Sequence, residues 1–578
     1  MYLSNNSFIP VSVKSMNLLE ADFISFNLPL SVSNKMAFKG LFDSFEASLT
    51  GELESKYYLS SLDPGSGKTQ AISCFLKAWK SNGFFPEGSV LVGVKTKDEI
   101  KGLVKRLGLD DADFACLTRD DEINALGLGD GRQNEARILI TTQQMILSRT
   151  RDRSFSAASD FHFEGKPRSL RIWDESLVLA EPVTLSWGSL AELVEPLKRH
   201  HREFSRFMER FLSELPDEEN SLVTLPSEFG QFAGRVLEEP RGLGDSYVAT
   251  LKAIRRVAGR SFWLVAESGQ SGRALVGASK PLPADFAPVI ITDASGRVRG
   301  TYDIWESAGG LIRLHTSAHD YGNVRVHLWA TSVGKDVLRD DQASRRIYRE
   351  VAKVMEAKKG ERWLVISHKQ RDDLNVKEDL RATVALDVPF EYLWWGRHHG
   401  TNDYKDVKNI VVIGSGFYAD VTYKALALAA SGKPVGDCDV GALPNLKGSE
   451  FQHNILQAVM RGNARNSRDG VAGECDVYIV ASRVPEPAAL IEEAFPGCVL
   501  ERWGPPEEGL SQHGKALMFV LQQHLANHDA NSMSKKALRE AVGIGNKQQF
   551  GAILKQIPVK MMLERLGLVV RNKSICRL

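Results

Sequence analysis

The run Leu62-Asp63-Pro64-Gly65-Ser66-Gly67-Lys68-Thr69 brings together what a polyphosphate needs. Glycines let backbone N–H groups turn inward around an anion, and a helix that starts there adds its N-terminal dipole. Lys68 is placed to neutralise β- and γ-phosphates, and the Thr69 hydroxyl to ligate Mg2+. Gly65, Ser66, Gly67 and Gln70 complete the candidate nucleotide contacts. Downstream, Leu170-Arg171-Ile172-Trp173-Asp174-Glu175-Ser176 carries an apolar run into two carboxylates. Asp174 suits Mg2+ held through water, and Glu175 suits polarisation of an attacking water. A lone Asp-Glu after an apolar run often just caps the next helix. Following a phosphate loop, the pair points to nucleotide hydrolysis.

Such groups need rigid elements behind them. Residues 57–61, 90–94, 137–141 and 170–173 are short apolar runs bounded by polar residues, the pattern of buried parallel strands. Ala71, Ile72, Phe75, Leu76 and Trp79 share one helical face, and Asn82-Gly83 supplies a stop. Thr96 and Glu99 form a capping-box signature ahead of Ile100, Leu103, Val104 and Leu107. Strand and helix alternate as in a doubly wound α/β domain. The rhythm restarts at 363–367, 390–394, 409–413 and 476–482, with a helical stretch at 450–461, which predicts a second α/β domain.

Between the two lies a segment that breaks the rhythm. Leu190, Leu193, Val194, Leu197, Phe204, Phe207, Phe211 and Leu215 form a helical pattern, which Pro196 is expected to kink or reset. At the C-terminus, 516–525, 535–542 and 548–554 read as three helices, and 566–574 as a hairpin turning at Asn572-Lys573. That is the order of a winged helix. Ten Lys/Arg against three Asp/Glu give 529–578 a net charge of +7 and leave −6 for residues 1–528. Positive charge gathered in one small module suits contact with a nucleic-acid backbone, and Lys547, Lys560, Arg571 and Lys573 are its candidate contacts. The predicted division is an N-terminal extension over 1–54, a first domain over 55–176 and 286–305, and a partly helical insertion over 177–285. A second domain follows over 306–505, and the basic module over 511–578.

Composition sets the outer bounds. A chain of 578 residues has room for three or four domains, and 43% hydrophobic with 25% charged residues is ordinary for a globular protein. A formal charge of +1 excludes a polycation, so any nucleic-acid contact must be local. The cysteines at 74, 116, 438, 475, 498 and 576 show no Cys-x-x-Cys spacing, which argues against a zinc ribbon or a disulfide framework and suits a reducing cytoplasm. Neither a signal peptide nor an apolar stretch of membrane-spanning length is expected.

The phosphate loop followed by Asp174-Glu175-Ser176 resembles superfamily 2 helicases of the DExx-box, DEAD/DEAH-like kind. Leu62 stands where the general loop pattern has its first glycine, a position helicases commonly relax. The resemblance implies two tandem RecA-like parallel-sheet domains, an insertion in the first, and a C-terminal winged helix. Val94-Lys95-Thr96 resembles motif Ia and Thr141-Thr142-Gln143 motif Ib, which in the family touch the nucleic-acid backbone. A Thr at a strand end is also a common N-cap. Val289–Ser295 resembles motif III, with Trp329-Ala330-Thr331-Ser332 as a rival. Ile366-Ser367-His368-Lys369 resembles motif IV. Gly396-Arg397-His398-His399-Gly400-Thr401-Asn402-Asp403 resembles motif V, and its paired histidines lack a matching acidic cluster for a metal. Gln457-Ala458-Val459-Met460-Arg461-Gly462-Asn463-Ala464-Arg465 resembles motif VI, whose arginines reach the γ-phosphate. The family spaces those arginines by three, here the gap is four, and either Arg461 or Arg465 could be the finger. No Gln precedes Gln70, so the adenine-reading Q motif of DEAD-box RNA helicases is missing. The insertion sits where iron–sulfur arch helicases carry their arch, but without four clustered cysteines no iron–sulfur cluster is expected.

The resemblance therefore implies an ATP- and Mg2+-dependent DNA helicase or translocase. Its catalytic set is Lys68, Asp174, Glu175, Arg461 and Arg465, with Gln457 at the nucleotide. Lys95, Thr96, Thr141, Thr142, His368, Gly400, Thr401 and Asn402 line the track. An ATP-switched clamp that does not unwind, or an RNA helicase, is the alternative. An initiator-type ring ATPase fits less well, because the second α/β repeat has no place in it. The insertion also offers a site where a partner protein or guide complex could recruit the chain. The relaxed motifs and the insertion suggest a mobile-element or antiviral-defence setting.

Overall fold

The computed structural model describes residues 9–577 except 130, 152, 239–242, 268–271, 280–281, 332, 372, 397–402, 415, 417, 482–483, 506–509 and 526–531. Two helices come first, α1 (Val11–Ser25) and α2 (Val32–Thr50). The Ser31 side chain accepts from Asn34 N to start α2, and Gly51 at φ +76° ends it. One face of α2 carries Phe38, Phe42 and Phe45 into the core around β1 (Tyr57–Ser60) and α3 (Lys68–Ser81). Phe45 meets Phe75 of α3 edge-on at 5.0 Å, and Phe42 stacks on it at 6.4 Å. The segment expected as an extension thus supplies part of the first lobe's core.

The next elements are β2 (Val90–Val94), α4 (Lys97–Leu107), β3 (Phe114–Leu117), β4 (Ile138–Thr142), a small hairpin of β5 (His162–Phe163) and β6 (Lys166–Pro167), and β7 (Leu170–Asp174). The insertion contributes β8 (Glu181–Ser186), β9 (Ser221–Thr224), β10 (Ser261–Ala266) and β11 (Arg273–Ser279), after which β12 (Val289–Thr292) and β13 (Leu311–Arg313) return to the first sheet. That sheet has the order β13-β1-β12-β7-β2-β4-β3 and is parallel at every pairing. Every residue of β1, β2, β3, β7 and β12 is buried, as a sheet covered on both faces requires. Since β13 pairs with β1, the first lobe extends past residue 305 to 313. The β13 strand has three residues, too short for a period to announce it.

The insertion is an α+β unit that starts on a strand. Its antiparallel sheet, ordered β8-β11-β10-β9, packs against helices Trp187–His200, Arg202–Ser213, Glu228–Glu238 and Asp245–Val257. Pro196 lies inside the first of these helices, which runs on to His200 and breaks at His201. A proline removes one helix hydrogen bond, and burial of Leu190, Leu193 and Leu197 outweighs that loss. The sheet is apolar on both sides. Leu264 and Leu275 face the insertion's own helices. Val265, Ala274 and Val276, one pleat away, pack on Val421, Ala425 and Leu428 of helix Asp420–Ser431 in the second lobe. Trp263 Nε1 also donates to Val435 O at 2.8 Å.

The second lobe consists of β14 (Val324–Ala330), β15 (Trp363–Ser367), β16 (Phe390–Trp394), β17 (Asn409–Ile413), β18 (Cys475–Ala481) and β19 (Val499–Arg502). Its parallel sheet has the order β16-β15-β17-β18-β14-β19. The C-terminal unit contains β20 (Ser532–Ser534), β21 (Leu568–Val570) and β22 (Ser574–Arg577), paired in the order β20-β22-β21. Among the described residues four helices accompany them, Gln512–Leu525, Lys535–Ala541, Lys547–Lys555 and Ile557–Arg565. The fourth helix and β20 add to the expected three helices and hairpin. A proline in the first turn of Ile557–Arg565 reads as a break in sequence, yet its fixed φ suits a helix start.

The insertion-to-lobe contact is testable. Val276→Asp should bury a charge against helix Asp420–Ser431 and detach it, speeding amide exchange across that helix by about tenfold or more while leaving β1–β4 protected. Unchanged exchange would mean that the contact does not persist in solution.

Candidate active site

Parallel strands deliver their C-terminal ends to one edge, and here that edge holds the chemistry. Ser60, Thr292 and Asp174 are aligned across β1, β12 and β7. The loop after β1 therefore lies beside the carboxylates after β7. Gly65 and Gly67 adopt φ +90° and +99°, which L-side chains rarely adopt. A Cβ on Gly65 would stand 2.5 Å from Arg465 O, and one on Gly67 would stand 2.4 Å from the Phe23 ring of α1. Glycine is thus required twice over, by conformation and by space.

Lys68 Nζ turns back into the loop, donating to Leu62 O at 2.6 Å and Asp63 O at 3.3 Å. Burial lowers its ammonium to about 8, against the opposing pull of Asp174, Asp293 and Asp63. Thr69 Oγ1 lies 3.2 Å from Asp174 Oδ2, while Asp174 Oδ1 accepts from Thr292 Oγ1 at 2.6 Å. Burial raises the Asp174 carboxyl. Glu175 stands at φ +80°, a non-glycine residue in the left-handed region, a strain of about 1–3 kcal/mol that collects at functional sites. Its carboxylate pairs with Lys95 Nζ at 3.5 Å. Burial raises its pKa, Lys95 opposes the rise, and Asp174 and Asp293 add to it. A half-buried carboxylate with a raised pKa suits a general base.

The second lobe reaches this edge through helix Lys447–Val459 and the 3-10 turn Asn463–Arg465. The helix ends before Arg461, so the four-residue gap is spanned by a turn and both arginines face the first lobe. Arg461 is buried. Desolvation lowers it to about 10, Arg465 adds to the fall, and Glu175 and Glu99 oppose it. Gln457 holds Arg461 by accepting from Nη2 at 3.0 Å. The Arg465 backbone and Cγ lie against Gly65, and burial followed by Arg106 lowers its guanidinium.

The other expected contacts fall in varied surroundings. Gln70 Nε2 donates to Asp22 Oδ2 of α1 at 2.6 Å, so it is turned toward α1. Thr141 is buried and its hydroxyl donates to Leu117 O at 2.6 Å, so its side chain is engaged inside the sheet. The hydroxyls of Thr142 and Thr96 cap helices, accepting from Met145 N and Glu99 N at 3.2 Å each. Neighbouring Gln143 Nε2 supports the carboxylate edge instead, donating to Asp174 O at 2.5 Å. His368 is half-buried after β15 and lowered to about 4, by burial and then by Lys335. Gly400, Thr401 and Asn402 lie outside the described residues. Lys547, Lys560, Arg571 and Lys573 are all exposed on the C-terminal unit. The residues that sequence reasoning passed over are Asp63 and Arg297, whose side chains meet 2.8 Å apart beneath the loop.

No protein family and no curated protein matches the chain. Among solved structures it is similar to one titled "XPD_APO", at 14% identity and a TM-score of 0.45, over 82% of this chain and 100% of that one. It is similar to S. tokodaii Xpd4 at 12% and 0.43, over 80% and 98%. It is also similar to a variant of S. cerevisiae Dbp5 bound to RNA and ADP BeF3 at 9% and 0.37, over 87% and 95%. These overlaps add nothing to the site's own chemistry. The chain's strand order and its loop-bearing edge are those of two RecA-like parallel-sheet domains in tandem.

The lowered Lys68 gives a pH signature. With its ammonium lowered to about 8, Lys68 should lose its charge as pH rises through that point. The dissociation constant of an ATP analogue, followed by fluorescence, should rise about tenfold between pH 7 and pH 9 in wild type. A flat profile over that range would contradict the assignment.

Proposed function

We propose that the chain is an ATP-dependent DNA helicase or translocase whose two lobes close on nucleotide and reopen on hydrolysis. The carrying observation is the meeting of Gly65–Thr69, Asp174-Glu175 and Arg461/Arg465 at one interlobe edge. Lys68 and the loop N–H groups would hold the phosphates. Thr69 Oγ1 and Asp174 Oδ2, 3.2 Å apart, offer the sparse oxygen set that suits Mg2+, which keeps several waters and takes its other ligands from phosphates. Bound there, Mg2+ would neutralise developing phosphate charge. Glu175 would orient and deprotonate the attacking water, and the arginines would stabilise the transition state, worth about 10³-fold or more.

Lys95 and His368, one beside each lobe's strand ends, together with 400–402, are assigned to the nucleic-acid track. The exposed Lys547, Lys560, Arg571 and Lys573, within the stretch 529–578 of net charge +7, are assigned to duplex or fork contact, in the manner of a winged helix. The missing Q motif favours DNA over RNA.

ATP hydrolysis, measured with and without single-stranded and forked DNA, and unwinding of forks with only a 3′ or only a 5′ tail test this. Wild type should be stimulated by DNA and unwind one fork type. Glu175→Gln should lower stimulated kcat by about 10²-fold or more with nucleotide binding retained. Retained hydrolysis in Glu175→Gln would refute the mechanism, and stimulation without unwinding would identify an ATP-switched clamp. Charge reversal at Lys547, Lys560, Arg571 and Lys573 should weaken fork binding and flatten its salt dependence.

A further inference from the structure

Asp63 occupies the second position of the phosphate loop, and its side chain is wholly buried. A buried carboxylate is costly unless donors satisfy it, and Asp63 has three sets. Arg297 Nε donates to Oδ1 at 2.8 Å. His319 N and Tyr321 OH donate to Oδ2 at 2.9 and 2.7 Å. One donor belongs to the first lobe and two lie on the path from it to the second. Arg297 is on the loop after β12. His319 and Tyr321 are on the connector between β13 and β14, which is bridged to the phosphate loop at Leu62↔Ser317.

The guanidinium of Arg297 does not stop at Asp63. Nη1 donates to Glu493 O at 2.7 Å and Nη2 to Ala494 O at 2.5 Å, the last carbonyls of second-lobe helix Pro487–Ala494. Such carbonyls have no partner within their own helix, and a cation there meets the negative end of its dipole. The same loop makes two more interlobe bonds, His453 Nδ1 with Ser295 Oγ at 2.7 Å and Arg299 Nε to Glu450 Oε1 at 3.0 Å. It also runs tight against the phosphate-loop strand, since a Cβ on Gly296 would stand 2.6 Å from Ser61 Oγ.

We infer that Asp63 and Arg297 are a positioning pair, through which movement of the phosphate loop on binding nucleotide is passed to the second lobe. This rests on reading the loop as an ATP site. Only a planar, forked side chain can bind the carboxylate and two carbonyls at once, which separates Arg297 from a generic charge. Neither residue touches the reacting atoms. Their effect is on lobe geometry.

The test uses the full chain with a dye pair at exposed Lys105 in the first lobe and Lys408 in the second, and AMP-PNP as the probe. Wild type should show a nucleotide-driven change in energy transfer. Arg297→Ala should bind AMP-PNP within about twofold of wild type yet lose most of that change, about fivefold or more. Arg297→Lys should restore it only in part. Asp63→Asn, isosteric with the native side chain, serves if Arg297→Ala fails to fold, and the double variant should be no worse than the more severe single. A wild-type change retained in Arg297→Ala or Asp63→Asn overturns the inference, as does a loss of transfer matched by an equal loss of affinity, or no change in wild type. Absence of DNA-stimulated hydrolysis in wild type refutes the helicase reading alone, because the transfer measurement needs neither DNA nor hydrolysis.

Discussion

Parallel strands all point the same way, and the register of β1, β12 and β7 turns that into chemistry. Ser60, Thr292 and Asp174 end at the same level, so three loops open side by side. Thr69 and Thr292 hydroxyls then converge on the two oxygens of one carboxylate. No local preference could bring residues 69, 174 and 292 together. Close packing of fully buried strands does so, and a one-residue slip in any of them would turn its side chains to the other face. The strain at Glu175 belongs to the same geometry. Its amide donates to Thr292 O at 3.2 Å, which holds the residue just off the strand end in a left-handed conformation.

A second constraint is the polar seam between the lobes. Asp293, Ser295, Arg299, Glu450 and His453 are all buried, and their hydrogen bonds connect the loop after β12 to the helix that carries Gln457. Burial tends to raise Asp293, but Arg299 and the Ser295 donors hold it below the ordinary carboxylate range. Burial lowers His453 to about 4, so it bonds as a neutral ring. A seam made of directional bonds, rather than apolar surface, can be broken and remade with little change in hydrophobic burial. The proposed opening and closing of the lobes would need such a seam.

The insertion behaves differently. It leaves the first lobe between β7 and β12, but its sheet buries Val265, Ala274 and Val276 against the second lobe's helix Asp420–Ser431. Apolar burial of this kind is non-directional and hard to part. The chain thus joins the lobes twice, by a polar seam beside the phosphate loop and by an apolar contact at the insertion.

Sequence by itself determined the parts whose code is local. Gly65–Thr69, the buried strands around it, the capping box of Thr96 and Glu99, and the carboxylate pair were all legible, because each depends on residue type and spacing within a few positions. The second parallel sheet was legible for the same reason. Only the tertiary structure decided which of these groups meet. Thr141 looked like a contact residue and is a sheet-internal hydroxyl. Gln70 looked like a nucleotide ligand and is bonded to α1. The four-residue gap between Arg461 and Arg465 made sense only once a helix end and a 3-10 turn lay between them. Asp63 and Arg297 stand far apart in the chain, and each alone is an ordinary charged residue. Their significance lies in sharing a buried site, and burial is a property of the packed whole that no local pattern encodes.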